Sequence, residues 1–328
     1  MILSSKLKRL RNNFLKKCVN FSTTQTQRDW YICGMNATQH LLFVAFGHRD
    51  YQNELIWALM SLARVHPEPA FHIHIFSDDT AYLQSQLPIP VTYHALTSDQ
   101  LTEAKGPSNY AYRVKIKILQ DCLKRYTGSF LYLDTDCLIT APLTPIFEAL
   151  EKGIVFMDKN EGALKANTGG IARKMKKVLR KQAAFPLPNG ELITLSEAFE
   201  VWNSGCIGVS NQHLPLLYRA EAFMDALYAT YPLFSMEQIA VSEALQREPL
   251  AETKDWVHHY WYFKEFRPVI HAFLAHYTVW EDRLEKAPLW DPWQLSAGKR
   301  RYKQLGFWGR TFQKIRLGYR WKNPTFRP

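Results

Sequence analysis

The chain has 328 residues, of which 47% are hydrophobic and 22% charged, which is ordinary for a soluble globular protein and long enough for one large α/β domain with additions or two smaller domains. Its five cysteines are scattered without a Cys-x-x-Cys pair, which argues against a disulfide framework or a zinc site and suits a reducing cytoplasm. The net charge is +11, and the sequence has neither an apolar run of about 18 residues nor the apolar core of a signal peptide, so we expect a cytoplasmic protein without a transmembrane helix.

The positive charge is concentrated at the two ends of the chain. Residues 1–28 hold seven Lys or Arg and residues 299–328 hold ten, with no acidic residue in either segment, which leaves 24 basic against 30 acidic residues in the body. Residues 1–20 place apolar side chains at helical spacing among the cations: Leu3, Leu7, Leu10, Phe14 and Cys18. This predicts a basic amphipathic helix that binds a membrane surface or nucleic acid, or that packs on the domain with a solvated basic face.

A strand, a helix and a second strand are predicted next. Residues 41–46 are continuously apolar and end at Gly47, Asn53 is the expected N-cap of the following helix, and residues 71–76 alternate into Ser77, Asp78 and Asp79. This order is typical of the opening of a nucleotide-binding α/β unit. His72 and His74 alternate with apolar residues, so we expect them to pack on a sheet rather than bind metal, and residues 91–95 are a further strand.

Two carboxylates follow the strongest strand signal of the chain. Residues 130–133, Phe-Leu-Tyr-Leu, predict a buried strand, and Asp134 and Asp136 come directly after it. Carboxylates in the turn that leaves a strand can converge on a hard cation such as Mg²⁺ or Mn²⁺, which keeps open positions for phosphate oxygens. The alternative is a solvated turn, but the chain returns at once to apolar residues, and enclosed charges need a partner.

Basic residues also lie near the start of the helix that is predicted before this strand. The helix is predicted over residues 110–126, and Arg113 and Lys115 lie near its start, where they oppose the helix dipole. Either one of them meets an anion there, or this is a solvated basic turn.

After the acidic turn we predict a helix near 145–152, a strand at 154–157, and a flexible, glycine-containing loop over 158–171 that could act as a lid. Residues 200–209 predict a strand entered through a turn at Asn203, Ser204 and Gly205, where small residues let a ligand approach closely. Helices follow at 213–229 and 236–247.

Histidines and aromatic residues crowd the last third of the chain. His258, His259, His271 and His276 lie among aromatics over residues 255–280; each is a candidate core residue, and one of them is a candidate third metal ligand. The tail interleaves its cations with aromatic rings, a composition selected by anionic membranes and also by single-stranded nucleic acid. No nucleic-acid-binding signature accompanies the tail, which favours the membrane.

Taken in order, several motifs resemble the GT-A glycosyltransferases and, among them, the family-8-like retaining enzymes. The resemblance covers residues 40–280 and rests on LLFVAFG, IFSDD, YRVK, FLYLDTD, NSGCIGV, MEQIAVSEAL and HHYWYFK. It implies an α/β fold with a mostly parallel, Rossmann-like central sheet and a helical C-terminal extension. It divides the chain into a basic N-terminal segment (1–28), a catalytic domain (40–280) and a basic aromatic tail (281–328). It also implies metal-dependent transfer, with retained configuration, from a nucleotide-diphosphate sugar, UDP-linked, to a glycan or lipid-linked acceptor such as lipopolysaccharide.

The resemblance implies roles for the metal and diphosphate residues. Asp134 and Asp136 are similar to the family's metal-binding Asp-x-Asp, with Mn²⁺ or Mg²⁺ as the cation and Asp134 also near the ribose. His259 or its neighbour His258 is similar to the later metal-binding histidine, and spacing leaves the choice open. Lys264 is similar to the lysine that meets the diphosphate.

The resemblance also implies which residues contact the donor. Arg113 and Lys115 fit the family's Arg-x-Lys that contacts it; the residues that would border the base are Phe46, Gly47 and Tyr51. Asn203 and Gly205 are similar to the Asn-x-Gly turn that faces the donor sugar. Glu237 and Gln238 stand where the family has Asp-Gln, so Glu237 departs from the pattern by one methylene, and Lys264-Glu265-Phe266 departs from the family's Lys-Pro-Trp.

Two other functions remain open from the sequence. A sugar-nucleotide nucleotidyltransferase shares the fold and the acid pair, but its glycine-rich basic loop after the first strand is missing at residues 47–50. A nucleic-acid-binding protein would act through the basic tails, and it would bind in a salt-dependent way without sugar-nucleotide binding.

Overall fold

The computed structural model describes residues 39–167, 169–233, 235–287, 292–316 and 322–326, all within one unit that spans Ala37–Pro328. The amphipathic helix predicted over residues 1–20 lies outside the described residues, and the three-part division of the chain stays a prediction. Along the described part of the chain, no helix is both long enough and apolar enough to cross a membrane.

The strands, numbered in chain order, are β1 Gln39–Ala45, β2 His72–Ser77, β3 Thr92–Ala95, β4 Ser129–Leu133, β5 Cys137–Ile139, β6 Val155–Ala163, β7 Ala184–Pro186, β8 Leu192–Thr194, β9 Glu200–Ser210, β10 Leu250–Glu252 and β11 Val257–His259. The helices are α1 Arg49–Val65, α2 Thr80–Gln86, α3 Ser98–Lys105, α4 Arg113–Arg125, α5 Thr144–Glu151, α6 Gly170–Lys181, α7 Leu214–Thr230, α8 Met236–Leu245, α9 Arg267–His276, α10 Trp280–Lys286, α11 Pro292–Leu295, α12 Ala297–Gln304 and α13 Phe307–Arg316. Short 3₁₀ turns lie at Asn211–His213 and Lys264–Phe266.

Seven strands form the central sheet in the order β10-β6-β9-β4-β1-β2-β3, and every neighbouring pair is parallel except the two that involve β9. The predicted α/β fold with a mostly parallel central sheet is confirmed. Because β9 runs against its neighbours, its first residues lie at the edge where β1, β4 and β6 end. Two small antiparallel pairs, β5 with β11 and β7 with β8, lie outside this sheet.

Alternating residues of the central strands face two separate apolar cores. In β4, Phe130 and Tyr132 belong to the core that contains side chains of α4, α7 and α8, whereas Leu131 and Leu133 belong to the core that contains side chains of α1 and α9. All five residues of β4 are buried. A strand covered on both faces is continuously apolar, which is why the sequence signal at this strand is so clear.

Histidines join the first three strands by hydrogen bonds. His40 Nδ1 lies 3.0 Å from His74 Nε2, and His74 Nδ1 lies 3.1 Å from His94 Nε2. His40 Nε2 lies 3.3 Å from the carbonyl oxygen of Thr127, which can only accept, so each neutral ring donates through Nε2 and His40 and His74 accept through Nδ1. His74 is buried on the sheet, as predicted, whereas His72 is exposed.

Three local predictions are wrong. Helix α1 begins at Arg49 with His48 as its N-cap, and Asn53 is buried inside it, where its Oδ1 accepts from Tyr82 Oη at 2.7 Å. The loop predicted over 158–171 is strand β6 as far as Ala163, because it pairs with β9 through two register shifts. The turn predicted at residues 203–205 lies within the continuous strand β9.

Candidate active site

Three predicted metal ligands converge beyond the end of β4. Asp134 follows the strand, and its backbone N–H donates to the carbonyl oxygen of Gly205 at 2.7 Å, while Tyr132 Oη donates to Asp134 Oδ1 at 2.7 Å. The chain then enters β5, and its antiparallel pairing with β11 sets His259 opposite Cys137, next to Asp136. One ligand atom from each of Asp134, Asp136 and His259 lies within 4.8 Å of the others.

The histidine of this group is oriented by two acceptors on its far side. His259 Nδ1 lies 3.1 Å from both Asp158 Oδ2 and Asn203 Oδ1, so it carries a proton. Its Nε2 faces the aspartates, 3.2 Å from Asp136 Oδ1 and 3.9 Å from Asp134 Oδ2. A carboxylate behind a histidine ligand is the usual support of a metal site, and two carboxylates with one imidazole suit Mn²⁺ or Mg²⁺. The residues therefore fit a divalent cation.

Charge in this group is balanced by neighbouring side chains. Burial opposes ionisation of Asp136, but His259 and Lys264 outweigh it and hold the pKa of Asp136 well below its usual range. Burial likewise opposes a charged His259, yet Asp136 and Asp158 hold the pKa of His259 well above its usual value. The aspartates are thus arranged to face positive charge, which is the environment that a cation requires.

Two lysines flank the acidic pair, and both are predicted site residues. Lys264 Nζ lies 2.5 Å from Asp136 Oδ2 at the start of a 3₁₀ turn, and its side chain is half exposed. Lys115 is buried; its Nζ lies 3.2 Å from Glu237 Oε2 and 3.7 Å from Asp134 Oδ2, and it donates to the carbonyl oxygen of Ser204 at 2.9 Å. Burial raises the pKa of Glu237 to about 7, although Lys115 works against that rise.

Gly205 is required by the position of His259. A Cβ built at residue 205 would lie 2.1 Å from both Cε1 and Nδ1 of the imidazole, a separation that real side chains do not adopt. The sequence predicted that a small residue here lets a ligand approach closely; in the structure, the group that lies against Gly205 is the side chain of His259.

A carboxylate that the sequence reading missed joins two predicted residues. Glu161 of β6 accepts from Asn203 Nδ2 at 3.0 Å through one oxygen and from Gln238 Nε2 at 3.1 Å through the other. Asn203 Oδ1 also accepts from the backbone N–H of Gly205 at 2.9 Å. Glu161 falls in the stretch that lacked apolar alternation, so no pattern in the sequence marked it.

The residues predicted to border a nucleotide base follow β1. Gly47 has φ +88°, and its N–H donates to Asp78 Oδ2 at 2.8 Å. Phe46 is partly buried against one apolar core, and Tyr51 is exposed on α1 with the Arg267 guanidinium 4.9 Å from its ring centre.

Arg267 also forms a buried ion pair that the sequence reading missed. Its Nε and Nη2 lie 2.9 Å and 3.0 Å from the two carboxylate oxygens of Glu54. Burial raises the pKa of Glu54 to about 7, with a further contribution from Asp136.

Two predicted site residues make their contacts elsewhere. The guanidinium of Arg113 binds Asp225 at 3.0 Å and also Glu221, both on α7, and it donates to the carbonyl oxygen of Ala104. His258 Nε2 lies 3.0 Å from Tyr262 Oη. Of the two adjacent histidines, it is His259 that lies with the aspartates.

Comparison with protein-family models and with curated proteins finds no match. Among solved structures, the chain is similar to the galactosyltransferase LgtC in complex with donor and acceptor sugar analogues (13% identity over 65% of this chain and 72% of that one, TM-score 0.42). It is also similar to mouse xyloside xylosyltransferase 1 (14%, 65% and 84%, TM-score 0.44) and to core-mannan synthase A from Aspergillus fumigatus in its Mn/GDP form (11%, 73% and 77%, TM-score 0.39). These similarities are distant, and no function follows from them.

Proposed function

We propose that this protein is a metal-dependent GT-A glycosyltransferase of the family-8-like retaining type. It would transfer a sugar from a nucleotide-diphosphate donor, UDP-linked, to a glycan or lipid-linked acceptor such as lipopolysaccharide. The observation that carries the proposal is the convergence of Asp134, Asp136 and His259 with two lysine ammonium groups beside them. The two aspartates and the histidine would bind a cation, and that cation together with the two ammonium groups would bind the negatively charged diphosphate.

Asp134, Asp136 and His259 Nε2 would hold Mn²⁺ or Mg²⁺. When bound, the cation supplies positive charge to the diphosphate leaving group as its bond to the sugar breaks. Lys264 is half exposed and pairs with Asp136, so its ammonium group can turn to the diphosphate once that carboxylate faces a cation instead. Lys115 is fixed by Ser204 and Glu237, which places its ammonium group 3.7 Å from Asp134 Oδ2.

The proposal includes attachment to the inner face of an anionic membrane through the C-terminal tail. Helix α13 exposes apolar side chains beside its cations: Phe307 (68%), Trp308 (81%), Phe312 (52%) and Ile315 (78%). Exposed aromatic and aliphatic residues together with Lys and Arg are what an anionic lipid interface selects. A lipid-linked acceptor would be presented at that surface.

Calorimetric titration with UDP, GDP, ADP and CMP sugars tests the function. We would titrate the wild type and Asp136→Ala, each with Mn²⁺ and with a chelator. We expect one nucleotide sugar to bind in a Mn²⁺-dependent way, and the substitution to weaken that binding by about 100-fold or more, comparable to the loss of a strong charge stabiliser. Asp121→Ala, at an aspartate whose side chain is 45% exposed and lies 3.9 Å from Lys124 Nζ, is the matched control. Absence of nucleotide-sugar binding by the wild type under every condition would overturn the proposal.

A further inference from the structure

Glu161 links two amide side chains of the candidate site, although no substrate role was predicted for it. One oxygen accepts from Asn203 Nδ2 and the other from Gln238 Nε2, at 3.0 Å and 3.1 Å. The three residues come from different elements, β6, β9 and α8, which meet at the edge of the sheet where Asp134 lies.

The orientation of the Asn203 amide is fixed by its other neighbours. Its Oδ1 accepts from the N–H of Gly205 and faces the protonated Nδ1 of His259. A flipped amide would turn its NH₂ group toward these two donors, so Nδ2 must point to Glu161. Glu161 thereby supports the acceptor that, with Asp158, keeps the proton on His259 Nδ1 and leaves Nε2 for a cation.

The Gln238 amide depends on Glu161 more directly. Its Nε2 donates to Glu161, which turns its carbonyl oxygen away from that carboxylate. Among the described residues, the Gln238 amide makes no other hydrogen bond, whereas its backbone carbonyl oxygen is held by Ser242 Oγ at 2.6 Å. The backbone is thus fixed by the helix, and the side-chain amide is oriented by Glu161.

We propose that Glu161 is a positioning residue that sets the amides of Gln238 and Asn203 for sugar transfer. This rests on the proposed function. With its NH₂ group held by Glu161, Gln238 presents its carbonyl oxygen to the donor sugar, where it stabilises the positive charge that develops at the anomeric carbon as the bond to the leaving phosphate breaks. Two acceptor oxygens are needed at residue 161, because two NH₂ groups converge there. An amide at this position offers one acceptor and one donor, and it therefore forces one of the partners to turn.

Glu161→Gln has the same shape as the native side chain and removes one of the two acceptors, so it is the deciding variant. The assay is nucleotide release, in Mn²⁺, from the donor that calorimetry identifies. We expect kcat to fall about 10- to 100-fold while the donor Kd changes less than about twofold, because the group acts in the transition state. Glu161→Asp keeps both oxygens and should keep more activity than Glu161→Gln, and it also serves if Glu161→Gln does not fold. Glu200→Gln is the matched control, since Glu200 accepts from Asn160 Nδ2 at 2.8 Å on the same pair of strands.

A double-mutant cycle separates positioning from a direct or merely structural role. In the Gln238→Ala background, Glu161→Gln should lower kcat by less than about twofold further, because the one acceptor that remains at residue 161 is then enough for Asn203. Additive losses, an unchanged kcat in Glu161→Gln, or a covalent sugar adduct on Glu161 would each overturn the proposal. If the wild type neither binds nor cleaves any sugar nucleotide, the proposed function fails instead.

Discussion

The imidazole of His259 lies directly against the backbone of Gly205, so close that no Cβ fits between them. A methyl group at residue 205 would lie 2.1 Å from Cε1 and Nδ1 and 2.7 Å from Nε2 of the ring. The backbone of Gly205 also accepts from the N–H of Asp134 at 2.7 Å. One glycine therefore lies in direct contact with both His259 and Asp134.

We expect Gly205→Ala to displace His259 and to weaken Mn²⁺ binding by about tenfold or more, as for removal of a group that supports a metal ligand. The measurement is calorimetric titration with Mn²⁺ alone, with thermal unfolding of the same sample to show that the variant is folded. Gly170→Ala is the matched control, because a Cβ there meets nothing within 4 Å. Equal Mn²⁺ affinities for the two variants would contradict the assigned role of Gly205.

The hydrogen-bonded histidines of β1, β2 and β3 should make the fold acid-sensitive. Burial lowers the pKa of His40 to about 4 and that of His74 to about 3, with further lowering by the neighbouring histidines. Burial also lowers the pKa of His94, and Arg125 adds to that lowering. Because the folded-state pKa values lie below those of the unfolded chain, the stability is fully present above about pH 6.5 and is lost as the pH falls toward about 4. Over that range we expect the free energy of unfolding to fall by roughly 2 kcal/mol or more.

Denaturant unfolding at a series of pH values checks this expectation. His74→Gln keeps a donor and an acceptor but cannot titrate, so its stability should fall less steeply between about pH 6.5 and 4.5 than that of the wild type. His271→Gln changes an exposed histidine on α9 and is the control. If the free energy of unfolding of His74→Gln falls as steeply with decreasing pH as that of the wild type, these hydrogen-bonded histidines do not cause the loss of stability in acid.

Removal of Arg267 should destabilise the fold because its partner is buried. The Glu54 carboxylate is 1% exposed and is bound by two nitrogens of Arg267. Arg267→Met leaves that carboxylate without its cation, and we expect a loss of about 3 kcal/mol in the free energy of unfolding. The double variant Glu54→Gln with Arg267→Met should regain part of this loss. A double variant less stable than Arg267→Met would refute the assignment of the loss to the unpaired carboxylate.

Three exposed residues of α13 provide the test of membrane attachment. Trp308, Phe312 and Ile315 are spaced by four and three residues, so they share one face of the helix. Changing all three to Ser should lower binding to phosphatidylglycerol-containing vesicles by about tenfold or more, because apolar burial is lost while the cations remain. Donor binding should be unchanged. Leu192→Ser, which changes an exposed apolar residue of β8, is the control. If the triple variant binds these vesicles as tightly as the wild type does, this face of α13 does not attach the protein to the membrane.

The sequence predicted the features that depend on local pattern. The apolar run of residues 130–133 was sufficient to predict the buried strand β4 and to place Asp134 and Asp136 just beyond its end, since a strand buried on both faces leaves a clear signal. The choice between His258 and His259 depended on the register of β11 against β5, a long-range pairing that no local pattern encodes. Glu54 and Glu161 were missed for a related reason: each has its partners far away in sequence, at Arg267 for Glu54 and at Asn203 and Gln238 for Glu161.

The wrong predictions share one physical cause. Polar residues were expected to lie in loops and caps, yet Asn53, Asp158 and Asn203 are buried within regular elements because other side chains satisfy them. Tertiary partners thus overrode local preference at the residues that line or support the site.

The reversed direction of β9 also bears on how the protein folds. This strand completes the sheet between β4 and β6, and its pairing with β4 joins residues more than 70 positions apart, such as Leu133 and Cys206. Closing so long a stretch of chain costs entropy before any contact compensates for it, which makes such pairing slow. Asn203, which contacts His259, and Gly205, which contacts Asp134, both belong to this strand, so Asp134, Asp136 and His259 should come together late in folding. Mn²⁺ would then stabilise the finished sheet and not an early intermediate.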